Sequence, residues 1–232
     1  MLVLAIETAT DLVGAAVGDD RGVVAEAVTI GRRRHAECLV PIVRHVVEQA
    51  GVTVREIAVV AVDIGPGLFT GLRVGVATAN GLAAGLGCSV IGVQSLDVLA
   101  EGHRGSVLSV VDARRGQVFA AVFRDGRSTG PPVLVDPADL PSLVTGGSTV
   151  AVGDGAVRYR SVLESVPGVV VEGPHGRYPR PGALARIARR RVDADPATAR
   201  SGPVLPTYLR PADVRVGWTQ RPAGPGDPGA PA

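Results

Sequence analysis

Residues 57–86 constrain the fold of this chain more than any other stretch. An apolar β-like run, Ile57 to Val62, enters Asp63-Ile64-Gly65-Pro66-Gly67-Leu68-Phe69-Thr70-Gly71, and a small-residue helix is predicted over Leu72 to Leu86. Gly65 and Gly67 permit backbone angles that other residues resist, and Pro66 stiffens the turn between them. Thr70 is spaced to cap the helix that follows. A glycine turn feeding a helix N-terminus aims free N–H groups at one point, which suits an anion. It equally lets another surface come close to the backbone. The residues alone leave both uses open.

The rest of the chain fits around this unit. Leu2–Ile6, Leu12–Val17 and Val23–Ile30 read as three strands of an antiparallel meander, with turn residues between them. His35–Ala50 has helical spacing, with Leu39, Ile42, Val43, Val46 and Val47 apolar and Gly51 at its end. After the glycine turn and its helix come a short strand, Ser89–Gly92, and a helix from Ser95 to about Glu101. The second half repeats the plan. Val107–Val111 ends in Asp112 as Leu2–Ile6 ends in Glu7, and Gln117–Phe123 returns as Leu12–Val17 does. Thr149–Val152 enters Gly153-Asp154-Gly155 and a helix expected from Ala156 to Ser165. Strand-turn-strand, helix, then strand-glycine-helix, twice over, is the layout of the actin, hexokinase and Hsp70 class (the ASKHA fold). Its α/β lobes are duplicated and ribonuclease H-like. We expect an N-terminal lobe at 1–103, a C-terminal lobe at 104–216 and a disordered tail at 217–232, where Pro, Gly and Ala dominate. A helix over Gly182–Arg191 is expected to turn Arg186, Arg189, Arg190 and Arg191 to solvent.

Composition removes some function classes. A net charge of +2 creates no strong field toward nucleic acid or membrane. Every basic side chain is arginine or histidine, since there is no lysine. Aromatics make up 3% of the chain, too few for base-stacking recognition of RNA by this chain alone. No stretch approaches a membrane span, and the first strand is interrupted by Glu7 and Asp11, unlike a signal peptide. Cytoplasmic residence is the expectation. Cys38 and Cys88 lack metal-ligand spacing and read as small buried hydrophobes. Arg32-Arg33-Arg34 is either a solvated loop or a contact for phosphate or an acidic partner.

Five segments can be matched to a known family. Leu4-Ala5-Ile6-Glu7-Thr8-Ala9-Thr10, the run Gly65 to Gly75, Ile91-Gly92-Val93-Gln94-Ser95-Leu96, Val111 to Phe119 and Pro206-Thr207-Tyr208-Leu209-Arg210 resemble the TsaB (YeaZ) family, in that family's order. Leu68 stands where the family usually has Ser. The resemblance implies a bacterial subunit of tRNA threonylcarbamoyladenosine (t6A) synthesis. It implies TsaD as the catalytic partner, which adds threonylcarbamoyl to N6 of adenosine 37 in tRNAs reading ANN codons, and TsaE as an ATPase partner. ATP/ADP and metal would reside in those partners, with no cofactor held by this chain. tRNA would be met through the complex, and the chain would form a homodimer when alone.

The residues bear on catalysis as well. By resemblance, Ser95 and Leu99 stand where the catalytic relative carries a metal-binding H-x-x-x-H pair. Leucine has no lone pair to offer a metal. An M22-like metallopeptidase would need such ligands. A free-standing ASKHA-type small-molecule kinase would need a glycine where Ala9 stands and a Gly-Gly-Thr run where Ala113-Arg114-Arg115 stands. These two enzymes are the alternative readings. Possible anion or nucleotide contacts are Thr8, Thr10, Gly65, Gly67, Thr70 and Asp112, of which Asp112 serves equally as a turn residue. The second helix is apolar or small on nearly every face, so its outer side should be covered by a second subunit. The expected partner interface is Leu39, Ile42, Val43 and Val46 on the first helix, with Arg73, Val74, Ala77, Asn80, Gly81 and Ala84 on the second.

Overall fold

The computed structural model describes residues 1–31, 34–144, 146–199 and 202–210. The expected tail, and Arg32 and Arg33 of the arginine run, lie outside these residues. The first half contains β1 (Leu2–Glu7), β2 (Leu12–Asp19), β3 (Gly22–Ile30), α1 (His35–Gln49), β4 (Ile57–Asp63), α2 (Phe69–Leu86), β5 (Ser89–Val93) and α3 (Ser95–Ala100). The second contains β6 (Ser106–Arg114), β7 (Gln117–Arg124), β8 (Arg127–Ser128), β9 (Val133–Val135), α4 (Leu140–Leu143), β10 (Thr149–Val152), α5 (Asp154–Arg158), α6 (Arg160–Leu163), β11 (Val169–Val171) and α7 (Pro181–Ala194). The helix expected over 156–165 is thus two short helices that meet at Tyr159.

The duplication is visible in the strand order. The first sheet runs β3-β2-β1-β4-β5, and the second runs β8-β7-β6-β10-β11 in the same sense, with β9 also pairing to β7. In the first sheet β1 pairs antiparallel with β2 and parallel with β4, and in the second β6 pairs antiparallel with β7 and parallel with β10. This is the actin- and hexokinase-type architecture that the sequence pattern predicted.

Side-chain alternation explains the layering. Leu4 and Ile6 face one side of the first sheet and pack under Leu39, Val43, Val46, Val76 and Ala79 of α1 and α2. Val3 and Ala5 face the other side and pack under Leu184, Ile187 and Ala188 of α7. Each fully buried Leu or Ile here contributes about 1.5–3 kcal/mol. Although α7 comes late in the chain, it covers the first sheet, so a boundary at residues 103 and 104 does not describe its packing.

The arginines of α7 are not a free solvated face. Arg190 forms two hydrogen bonds to Glu101 at 3.0 and 2.8 Å, Arg191 pairs with Asp97 and Arg189 pairs with Asp193. Glu101 and Asp97 lie at α3, so these pairs tie α7 to the connection between the sheets. Sequence separation hid the Arg190–Glu101 and Arg191–Asp97 pairs, whose members are 89 and 94 positions apart.

Candidate functional site

The ends of β1 and β4 lie side by side, with Ile6 opposite Val62. Two turns leave from this point, residues 8–10 after β1 and 64–68 after β4. They press against each other closely enough that glycine is required. A Cβ on Gly67 would sit 2.2 Å from the Ala9 carbonyl oxygen, and one on Gly71 would sit 2.1 Å from that of Thr8. Leu68 N–H donates to the Ala9 carbonyl at 2.7 Å. The glycines therefore let the turn after β1 lie on the backbone of α2.

This accounts for most of the residues expected to face an anion. Thr8 and Thr10 are buried. The Thr10 hydroxyl accepts from Leu12 N–H, and its carbonyl meets His35 Nε2 at 2.7 Å. Gly65 N–H donates to Asp63 Oδ1 at 2.7 Å. Thr70 does not cap α2: the capping position is Leu68, which has no side-chain acceptor, and Thr70 lies exposed within the first turn.

Beneath the turns sit two carboxylates with no exposure, Glu7 and Asp63. Glu7 Oε1 accepts from Ala9 N–H at 2.8 Å, and Asp63 Oδ1 also accepts from the Ser95 hydroxyl at 2.6 Å. Burial, and then the neighbouring Asp63, hold the Glu7 carboxyl well above its usual range. Burial raises Asp63 as well. Glu7 is therefore not an open negative charge. Ser95 and Leu99, at the positions of the expected ligand pair, are both core residues.

The second lobe solves the equivalent position with arginine. Asp112 Oδ2 accepts from Arg114 Nη1 at 3.1 Å and Arg158 Nη1 at 2.9 Å. Arg114 reaches across to the first lobe and pairs with Asp11 at 3.2 Å. Asp112 is thus a guanidinium acceptor and not an anion contact. Its backbone N–H donates to Asp154 Oδ1 at 2.9 Å, and burial pushes the Asp154 carboxyl up to about 6. Among the described residues, no group of three or more His, Cys, Asp or Glu side chains could hold a metal ion.

Between the lobes lies a cavity of about 650 Å³ whose walls include Phe69, Arg73, Arg114, Tyr208 and Arg210. A neighbouring cavity of about 580 Å³ runs past Asp11, His35, Phe69 and Thr70. Sequence reasoning marked Pro206 to Arg210 as a motif but not the contacts by which this segment closes the region. Residues 202–210 cross from α2 to the second lobe. Asn80 grips this segment with both amide atoms at 3.0 Å, donating to the Val204 carbonyl and accepting from its N–H. Thr207 N–H donates to the Ile64 carbonyl at 2.7 Å. Arg73 lies 3.9 Å over the Phe69 ring and 3.4 Å from the Tyr208 hydroxyl, and Arg210 donates to the Ala113 carbonyl and to Gln117 Oε1. The Pro206-to-Arg210 motif was a visible signal, but its contacts are all distant in sequence.

The expected interface residues separate into two groups. Leu39, Val43 and Val46 are 1%, 7% and 1% exposed, facing their own sheet, and Ile42 is half-buried. The apolar stripe on α1 is thus the face that builds the core, and Val40, at 62%, is its exposed apolar residue. On α2, Arg73, Ala77, Gly81 and Ala84 are exposed, while Val74 and Asn80 are half-buried. Phe69 extends that outer face at 49% exposure.

The fold class is shared with solved structures. The chain superposes on ROK hexokinase from Thermus thermophilus with a TM-score of 0.50 at 16% identity, covering 82% of this chain and all of the other, a likeness of fold alone. YeaZ from Pseudomonas aeruginosa is much nearer, with a TM-score of 0.79 and 25% identity over 90% of this chain and 99% of that one. A family model described as TsaD: tRNA N6-adenosine threonylcarbamoyltransferase matches residues 17–148. A Mycobacterium tuberculosis protein is 37% identical over 92% of this chain and 93% of its own length. A Mycobacterium leprae protein is also 37% identical, and this chain spans 61% of its length. The Bacillus subtilis tRNA threonylcarbamoyladenosine biosynthesis protein TsaB is 27% identical over 95% of this chain and 99% of its own length. The chain belongs to the TsaB (YeaZ) family.

Proposed function

We propose that this chain is a non-catalytic docking subunit of the enzyme that adds threonylcarbamoyl to N6 of adenosine 37 in tRNAs reading ANN codons. The names of its relatives support the pathway. The observation that carries the role is the outer face of α2. Phe69, Arg73, Ala77, Gly81 and Ala84 form an exposed strip in which a Cβ added at Gly81 would meet nothing within 4 Å. A second helix can come close to such a strip, and its apolar area gains by being covered. The partner is a TsaD-type catalytic subunit, joined by a TsaE-type ATPase, in the cytoplasm. ATP/ADP, metal and tRNA are engaged by the assembled complex. Alone, the chain covers the strip with a second copy of itself. Its contribution is conformational: interface energy favours the competent state of the catalytic subunit.

The enzyme alternatives have less support. The carboxylate a kinase would need in the second lobe, Asp112, is held by two guanidinium groups. The positions a metallopeptidase would need, Ser95 and Leu99, are inside the core.

The test is Ala77→Arg, on an exposed position where the larger side chain has room in the free chain. Light scattering of the mixture with the TsaD-type protein of the same genome should show at least about a tenfold loss of complex, on the scale of a central interface residue. The thermal midpoint of the variant alone should be unchanged. Normal assembly with full t6A formation would refute the docking face. Substitution of Val43 cannot serve, because that residue belongs to the core.

A further inference from the structure

The buried carboxylates at the ends of β1 and β4 carry an inference that does not depend on the docking role. Each uses one oxygen conventionally: Glu7 Oε1 accepts from Ala9 N–H, and Asp63 Oδ1 accepts from Gly65 N–H and Ser95 Oγ–H. Their other oxygens, Glu7 Oε2 and Asp63 Oδ2, are buried with no N–H or O–H donor. The two side chains stand one residue beyond the Ile6–Val62 pairing of β1 and β4, and both are fully buried. Two ionised carboxylates so placed have no donor to offer each other. One proton between them satisfies both orphaned oxygens and removes one of two charges from a site with no access to water.

We propose that Glu7 and Asp63 share one proton and act as a proton-dependent clamp holding the turn after β1 to the turn after β4. What the clamp seats is defined by the same bonds. Through Ala9 it fixes the carbonyl that accepts from Leu68 at the start of α2, and through Gly65 it fixes the carbonyl that accepts from Ser95 at the start of α3. The charged groups around it are few. Asp97 on α3 adds negative potential at Asp63, and is itself paired with Arg191 of α7. His35 on α1 lies against the Thr10 carbonyl, on the next residue pair of the turn. Asp97 strengthens the case for retaining the proton.

The sign follows from linkage. Both carboxyls are raised above their values in the unfolded chain, so the folded state holds the proton where the unfolded state has lost it. Stability is then greatest at low pH and falls as pH rises through the folded value. Loss of one proton changes the unfolding equilibrium by up to about tenfold per pH unit.

Two measurements test the clamp. Infrared spectroscopy of the wild-type chain at neutral pH should show the C=O stretch of a protonated, water-inaccessible carboxylic acid, and Glu7→Gln should lack it. Urea unfolding from about pH 5 to about pH 9 should show falling stability in the wild type. Glu7→Gln carries a permanent donor toward Asp63 Oδ2 and should remove up to that tenfold-per-unit slope. Absence of the acid band in the wild type overturns the proposal without need of a variant. So does an unchanged slope in Glu7→Gln. If Glu7→Gln fails to fold, the wild-type band decides.

Discussion

The two sheets end alike and treat their carboxylates differently. In each, an acidic residue lies at or near the end of the first strand and a second at or just beyond the end of its parallel neighbour: Glu7 with Asp63 in the first lobe, Asp112 with Asp154 in the second. The first pair is sealed from solvent and relies on a proton. The second lies at the cleft edge, where Arg114 and Arg158 reach Asp112. A guanidinium is long and planar and can neutralise a carboxylate from partly exposed ground. No such side chain fits beneath the turns at Gly67 and Gly71. The depth of the site decided which means of neutralisation each lobe uses.

Both lobes should break most severely where backbone meets backbone. Gly71→Ala and Gly153→Ala each force a Cβ to within 2.1 and 2.0 Å of a carbonyl oxygen, and Gly153 also has a φ of 108°. Each should cost about 3 kcal/mol or more in chemical denaturation. A loss confined to one of them would show that the lobes do not share this packing device.

Asp112→Ala should have an intermediate effect, about 1–2 kcal/mol, since Arg114 and Arg158 keep partial access to water. It should also loosen the Arg114–Asp11 link between lobes, read as faster proteolysis of the 202–210 segment. Glu7→Gln, in contrast, should leave stability near the wild-type value at acidic pH and raise it at alkaline pH. Urea midpoints of the two variants, measured in parallel, set the proton against the arginines directly.

The smallest effect should come from Asp154→Asn. Burial lifts Asp154 from 3.8 to about 6, so its neutral form is favoured in the fold and stability falls as pH rises through that interval. The variant should flatten the stability profile between those values, matching the wild type below them and exceeding it above. A slope that persists in both Glu7→Gln and Asp154→Asn would place its source outside both pairs.

Periodicity and turn chemistry made much of the fold legible. The β1-to-β5 order, its repetition, and the strand-glycine-helix unit at Gly65 to Gly71 all follow from alternation and from glycines at strand ends. The site was less so. Leu39, Val43 and Val46 were read as a docking stripe because a helix shows which residues share a face but not what that face meets. Asn80 was placed with them, yet its amide is taken by Val204, more than a hundred residues away. Thr70 had the right chemistry for a cap two residues too late.

The sequence by itself determined the duplicated α/β layout, the family and the narrowness of α2, because these depend on local patterns of size and polarity. Only the tertiary structure decided that Glu7 meets Asp63 without water, that Asp112 is given to arginines, and that residues 202–210 strap the lobes together. Those outcomes depend on distances and burial between segments far apart in the chain, where Coulomb and desolvation energies are set by surroundings that no local pattern encodes.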